Sequence, residues 1–178
     1  MPDSFRAPAN TAAAPAATHP ALTTIGELNW RFCAFDGLTL PELQRIHTAR
    51  QQVFVIEQDC VYLDADAYDE PSHHLAAWSP AHTLPLAYAR LVAPGLKYTE
   101  PSMGRVITSE AARGTGLGRE LVRRMVRHGE AVYPGQGLRI SAQSRLIRFY
   151  AGFGFETVGE DYLEDDIPHR EMVRVSSR

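Results

Sequence analysis

Three glycines fall within five residues, at positions 114–118, where an amphipathic segment begins; the stretch 113–126 reads RGTGLGRELVRRMV. Glycine weakens helices and strands, so this group needs a reason, and one reason is that glycine adopts the positive φ of tight turns. A second is that glycine lets a ligand approach the backbone. Because a helix N-terminus has unpaired N–H groups and a partial positive charge, the turn predicts an anion site, best suited to phosphate.

Two common nucleotide motifs do not match this turn. A P-loop ends in Gly-Lys-Ser/Thr, but Arg119 and Glu120 follow Gly118 here. A dinucleotide fingerprint has its third glycine at the position of Arg119. What remains is the pattern Arg-x-x-Gly-x-Gly from Arg113 to Gly118, placed after a strand and before a helix.

Composition narrows the class of protein. The 178 residues predict one domain, and a formal net charge of -3 predicts no nucleic-acid or membrane partner. Cys33 and Cys60 form no CxxC pair, which argues against a disulfide framework or a zinc site. No stretch approaches the roughly 18 apolar residues that a membrane span requires. We therefore expect a cytoplasmic protein without a metal.

The order of predicted elements indicates the fold class. Residues 1–26 are rich in Ala, Pro and Thr, which predicts a disordered leader before a domain of residues 27–178. Helices are predicted from the capping box of Thr39 and Glu42 to about residue 58, from Leu117 to before Pro134, and over SRLIRFYAGF. The predicted strands are WRFCAF, HLAAWS, LPLAYARLVA, MGRVIT and LRISAQ, with a closing hairpin of FETVG and REMVRV. This order predicts an α/β or α+β domain with a mixed sheet.

The glycine turn, in this context, resembles the pyrophosphate-binding motif of the GCN5-related N-acetyltransferases (GNAT). The stretch AQSRLIRFYAGFGF is similar to the family's second cofactor segment, with Gln143 at its Asn-like position, Tyr150 as its tyrosine and Gly154-Phe155 at its end. Five further stretches are similar to the ElaA-like branch of the family: RQQVFVIEQDCVYLDADAYD, HLAAW, AYARL, GRVITSEAARGTGLG and DIPHREM. The resemblance covers roughly residues 28–175. It implies a GNAT fold, in which a mixed, mostly antiparallel sheet is flanked by helices and a splayed strand pair holds acetyl-CoA.

The resemblance also implies how the co-substrate acetyl-CoA is held. The turn would bind the pyrophosphate, the preceding strand would bind the pantetheine arm, and Tyr150 would act as general acid toward the departing thiolate. The residues implied in cofactor binding are Val106, Ile107, Thr108, Arg113, Gly114, Thr115, Gly116, Leu117, Gly118, Arg119, Gln143 and Tyr150.

The acceptor side is less determined. We expect direct attack by a small-molecule or peptide amine, because neither cysteine has the context of a nucleophile. His74, Glu57, His169 and an ordered water chain are the alternatives for the general base, with His74 as the possible base. The residues expected at the acceptor are Phe54, Glu57, Gln58, His74 and His169. An acyl-homoserine-lactone-synthase-like acyltransferase and a non-catalytic acyl-CoA-binding regulatory module are the alternative functions. A homodimer is left open.

Two charged patterns have less specific interpretations. The run DADAYDE, residues 64–70, lacks the glycine and glutamate of a calcium loop, because Asp69 and Leu75 occupy those positions. It predicts a solvated loop, with attraction of a cationic amine as the functional alternative. Arg119, Arg123 and Arg127 lie four residues apart, which predicts a solvated helix face.

Overall fold

One seven-stranded sheet forms the centre of the molecule in the computed structural model, which describes residues 28–176. The strand order is β1-β2-β3-β4-β5-β7-β6, and all neighbours are antiparallel except the parallel pair β4 and β5. The strands are β1 Asn29–Ala34, β2 Ser72–Trp78, β3 Ala87–Val92, β4 Ser102–Thr108, β5 Leu138–Gln143, β6 Glu156–Glu164 and β7 Ile167–Arg174. The expected mixed, mostly antiparallel sheet is confirmed. The predicted disordered leader, residues 1–26, lies outside the described residues.

In the described part of the chain, three α-helices connect the strands: α1 Leu40–Gln51, α2 Leu117–Val132 and α3 Ile147–Ala151. The predicted capping box opens α1, because the Thr39 hydroxyl accepts the Glu42 N–H at 3.3 Å and the Glu42 carboxylate accepts the Thr39 N–H at 2.9 Å. A wider π-helical turn, Gln52–Glu57, continues α1, so the predicted length is right but the last turn is not α-helical. Within residues 28–176, none of the helices has the length and apolarity to cross a membrane.

The amphipathic helix α2 packs its apolar face on the sheet. Its predicted core residues are all buried, and they are Leu117, Leu121, Val122, Met125 and Val126. Burial of one such side chain contributes about 1.5–3 kcal/mol, so this face holds the helix, and with it the glycine turn, against the sheet. The arginine stripe on the opposite face is exposed, as predicted.

The parallel strands β4 and β5 separate soon after they meet. They are paired only at Ser102 and Arg139, beside a hydrogen bond of 2.9 Å from the Arg139 N–H to the Pro101 carbonyl. Beyond that point β4 pairs only with β3, and β5 pairs only with β7. The expected splayed strand pair is therefore present, with unpaired edges facing each other.

The acidic run is not a solvated loop, which corrects the expectation from sequence. Asp64 and Asp69 are both only 4% exposed. They bind the fully buried Arg50 of α1, with Nε to Asp64 at 2.7 Å and Nη1 to Asp69 at 2.7 Å. Arg90 of β3 binds Asp66 and Asp69. A buried charge is tolerated only when it is paired. The run therefore pairs with the interior arginines rather than attracting a cationic amine substrate.

Candidate active site

The gap between β4 and β5 is a cleft of about 740 Å³. The π-helical turn and the β6–β7 hairpin supply its other walls. It brings together most of the side chains predicted for the site, from both the cofactor and the acceptor groups. Those that line it are Phe54, Glu57, Gln58, Val106, Ile107, Thr108, Arg113, Gln143, Tyr150 and His169.

The glycine turn follows Arg113 at the N-terminus of α2. Gly114 and Gly116 have φ of 77° and 88°, so both use the left-handed region that glycine allows. Thr115 stabilises the turn, because its hydroxyl donates to the Ala112 carbonyl at 2.7 Å. Within residues 28–176, several N–H groups of the turn have no protein acceptor, namely those of Gly114, Thr115, Gly116 and Gly118. This cradle at the start of a 16-residue helix fits a diphosphate.

Two residues expected in the cradle have other contacts. The Leu117 side chain is 1% exposed and packs in the core, while its N–H donates to the Thr115 hydroxyl at 3.3 Å. The Arg119 N–H donates to the Gly116 carbonyl at 3.0 Å, and its guanidinium lies 5.2 Å from the Phe153 ring centroid. The Leu117 side chain therefore belongs to the core, so cofactor binding by this residue stays a prediction for its backbone alone, whereas the Arg119 side chain is exposed at the turn.

Tyr150 of α3 lies in the wall of the cleft and is 6% exposed. The rings of Phe149 and Phe155 meet it edge to face, with centroids 5.0 and 6.1 Å away. Burial raises the pKa of its phenol to about 12, so the hydroxyl stays protonated at neutral pH. The placement suits a proton donor.

Hydrogen bonds join the predicted acceptor residues to the predicted cofactor residues. The Gln143 amide donates to the Gln58 side-chain oxygen at 3.1 Å, across the cleft from β5 to the end of the π-helical turn. The Arg145 Nε donates to the Gln143 oxygen at 2.9 Å. Glu57 forms an ion pair with Arg113. No local pattern in the sequence predicts the Gln143–Gln58 and Glu57–Arg113 pairs, because their partners are far apart along the chain.

The hydrogen bond of His169 determines which ring nitrogen could accept a proton. Its Nδ1 lies 2.8 Å from the Ile167 carbonyl oxygen, which can only accept, so Nδ1 carries the hydrogen when the ring is neutral. The lone pair is then on Nε2. The ring stacks on Tyr162, with centroids 6.1 Å apart, and lines the cleft.

His74 does not meet the expectation that it acts as a base or contacts the acceptor. It is 1% exposed and does not line the cleft. Its Nδ1 lies 2.7 Å from the Tyr88 hydroxyl and its Nε2 lies 3.0 Å from the Asp69 carbonyl, so both nitrogens are engaged. Burial lowers the pKa of its imidazole to about 4. His74 therefore has a structural role beside the buried ionic cluster, which consists of Arg50, Asp64, Asp66, Asp69 and Arg90.

Several residues that line the cleft were not predicted from sequence. Ser141 of β5 lies 2.5 Å from the Tyr162 hydroxyl and donates to the Glu164 carboxylate at 3.0 Å. Arg105 of β4 lines the floor near Phe54. These residues come from separate strands, and only the order of the strands in the sheet brings them together. Among the described residues, no group of three or more His, Cys, Asp or Glu is placed to hold a metal ion.

Comparison with known proteins agrees with this architecture. The profile of the acetyltransferase (GNAT) domain matches residues 65–176. A UPF0039 protein of Synechocystis is 44% identical over 83% of this chain and 95% of its own length, and Escherichia coli ElaA is 34% identical over 83% and 96%. The crystal structure of an acyl-CoA N-acyltransferase from Pseudomonas aeruginosa is 41% identical, with a TM-score of 0.79 over 83% of this chain and 99% of that one. The chain therefore belongs to the GNAT acetyltransferase family, with ElaA among its relatives.

Proposed function

We propose that this protein transfers an acetyl group from acetyl-CoA to an amine by direct attack within the β4–β5 cleft. One observation carries the proposal. The unpaired edges of β4 and β5 open beside a glycine turn that has free N–H groups, and Tyr150 lies in the wall of the same cleft. An extended thioester with a diphosphate needs this combination of an open strand edge and an anion cradle.

In the proposal, different parts of the site bind the diphosphate, the pantetheine arm and the acyl group. The N–H groups of the turn and the Arg113 side chain bind the diphosphate. The backbone of Val106, Ile107 and Thr108 binds the pantetheine arm in the manner of an added strand. Bound acetyl-CoA supplies an activated acyl group, and a backbone N–H of β4 stabilises the negative charge on its carbonyl oxygen during the transfer.

Two side chains handle protons in the proposal. Tyr150 donates its phenolic proton to the departing thiolate. Its raised pKa secures the protonated form, although it also makes the phenol a weaker acid than an exposed tyrosine. Nε2 of His169, directly or through a water molecule, accepts the proton that the amine loses, because Nδ1 is held by the Ile167 carbonyl.

The acceptor is an amine of a small molecule or a peptide, bound between Phe54, Gln58 and His169. The free thiols of Cys33 and Cys60 are consistent with the cytoplasm as the place of reaction. The two alternative functions are an acyl-homoserine-lactone-synthase-like acyltransferase and a non-catalytic acyl-CoA-binding module, and the experiment that follows tests the second.

Replacement of Tyr150 by phenylalanine tests the proposal. Wild-type protein is first screened for release of free coenzyme A thiol over a panel of amines. With an accepted amine, we expect Tyr150→Phe to lower kcat by on the order of 10²-fold, the scale of a positioned acid, while acetyl-CoA affinity in calorimetry changes little. The ring and its packing remain, so the fold should survive.

Tyr133→Phe is the matched control, because Tyr133 is a half-buried tyrosine that does not line the cleft. It should keep the wild-type kcat. If Tyr150→Phe turned over at the wild-type rate while chemistry limits the reaction, the proton would come from elsewhere. If the wild type bound acetyl-CoA but released no thiol with any amine, the non-catalytic alternative would be favoured.

A further inference from the structure

A β-bulge in β4 lies at the floor of the cleft. The register between β3 and β4 shifts by one residue between Tyr88 and Arg90. Opposite Ala89, β4 therefore has two residues, Arg105 and Val106, which is the pattern of a bulge. Arg105 has φ of 53°, in the left-handed region that a side chain other than glycine rarely adopts. Such a conformation persists only where the surroundings hold it in place.

The Arg105 side chain supplies that hold. Its Nε lies 2.8 Å from one Asp64 carboxylate oxygen, and its Nη2 lies 3.0 Å from an Asp66 carboxylate oxygen and 3.1 Å from the Asp64 carbonyl. The guanidinium carbon also lies 5.9 and 5.4 Å from the ring centroids of Phe54 and Tyr62. The bulge is thus tied to the acidic run and to two aromatic rings that line the cleft.

Arg105 differs from the other arginines of the ionic cluster in its position. The side chains of Arg50 and Arg90 are 0% and 3% exposed, whereas that of Arg105 is 19% exposed and lies at the cleft surface. Asp64 and Asp66 each bind Arg105 together with one of the interior arginines. Arg105 therefore ties the buried part of the cluster to the cleft surface, and Arg90 also lines the cleft.

We propose that Arg105 is a positioning residue, which clamps the β4 bulge so that the backbone at Val106 faces the thioester at a fixed angle. This inference rests on the proposed function, because it assigns the bulge to acyl transfer. The clamp acts through the backbone of Val106 and through the ring of Phe54 on the acceptor side. The glycine turn at the start of α2 does not depend on it.

Three substitutions separate the clamp from the conformation of the bulge. Arg105→Gly removes the guanidinium but allows the positive φ without strain. We expect kcat to fall by about 10²-fold, the cost of a misplacement near 1 Å, and KM for the amine to rise. Acetyl-CoA affinity should change little, since the glycine turn is intact. Arg105→Lys retains the charge without the planar fork and should restore part of kcat. Asp66→Asn, outside the cleft lining, should lower kcat in the same direction.

Arg139→Lys is the matched control. Arg139 lies on β5, the neighbour of β4. Its side chain is 20% exposed and pairs with Glu100 and Glu171, but it does not line the cleft. It should keep the wild-type kcat. Amide hydrogen exchange of the protein saturated with acetyl-CoA provides a readout that needs no amine. Exchange at Val106 should be faster in Arg105→Gly and unchanged in Arg139→Lys.

The outcomes distinguish this inference from the proposed function. Wild-type kcat in folded Arg105→Gly or Asp66→Asn, or an equal loss of kcat in Arg139→Lys, would overturn the role of Arg105. A loss of acetyl-CoA affinity equal to the loss of kcat would also overturn it, because the residue would then bind the co-substrate. If the wild type turned over no amine, the proposed function would fail, and the exchange at Val106 would still decide whether Arg105 clamps the bulge.

Discussion

Positive φ angles occur in the glycine turn and in the β4 bulge, and two kinds of residue provide them there. Gly114 and Gly116 form the turn without steric cost because they have no Cβ. Arg105 adopts a similar φ at a cost of about 1–2 kcal/mol for a residue with a side chain. The pattern of glycines is visible in the sequence and predicted the turn. The conformation of Arg105 was not predictable, because partners from another part of the chain impose it.

Gly116 is the residue whose substitution tests the anion cradle. Gly116→Val would place a branched side chain where a phosphate must approach, and we expect acetyl-CoA affinity measured by calorimetry to fall at least tenfold, about 1.4 kcal/mol. Gly135→Val is the control for backbone strain, because Gly135 has φ of 77° in open space and does not line the cleft. Equal affinity in wild type and a folded Gly116→Val protein would show that the diphosphate binds elsewhere.

At the scale of secondary-structure elements, the sequence did not reveal that α1 pairs with the acidic run. The capping box and the apolar residues predicted the helix, since Thr39, Glu42 and Ile46 act within their own turns. Arg50 looks like an ordinary polar residue of a helix face, yet it is fully buried. Its burial depends on carboxylates 14 and 19 residues later, and helical periodicity contains no signal for such partners.

Asp69 should therefore matter more for stability than an ion pair at the surface. It binds both Arg50 and Arg90 in the interior, so Asp69→Asn leaves buried guanidinium groups undercompensated. We expect the free energy of unfolding to fall by about 3–5 kcal/mol. The control is Asp161→Asn, which removes the half-exposed pair with Arg170 and should cost at most about 1 kcal/mol. Urea unfolding measures both, and an equal effect of the two substitutions would contradict a structural role for the cluster.

For the whole molecule, local motifs predicted the helices, the strands, the glycine turn and Tyr150. The sheet topology determined which other side chains line the cleft between them. Tyr150 and the glycine turn could be predicted for the site because each belongs to a compact sequence pattern. Ser141 of β5 contacts Tyr162 and Glu164 of β6 across β7, and no local pattern in the sequence predicts contacts between strands that are not neighbours. The same topology buries His74 beneath Asp69, so that a histidine expected at the acceptor became part of the interior.

The buried ionic cluster predicts how stability depends on pH. The pKa of His74 is lowered by burial to about 4, so between about pH 6.5 and 4 the unfolded chain binds a proton that the folded protein does not. The stabilisation that neutral His74 provides is fully present above the pKa of the unfolded histidine. The free energy of unfolding falls as the pH drops through this window, by on the order of 3 kcal/mol. Burial alone would raise the pKa of Asp69, but Arg50 and then Arg90 outweigh it and lower the pKa to about 2. A second loss should therefore follow between about pH 4 and 2.

Urea unfolding at a series of pH values measures both windows, and His74→Gln separates them. Glutamine does not titrate, so the variant should be less stable at neutral pH but should lose the decline between about pH 6.5 and 4 that His74 causes. The decline below about pH 4 should remain, since Asp69 is unchanged and the unfolded carboxyl takes up its proton near that pH. If the variant kept the full wild-type slope in the upper window, other groups would cause that decline, and neutral burial of His74 would not be its source.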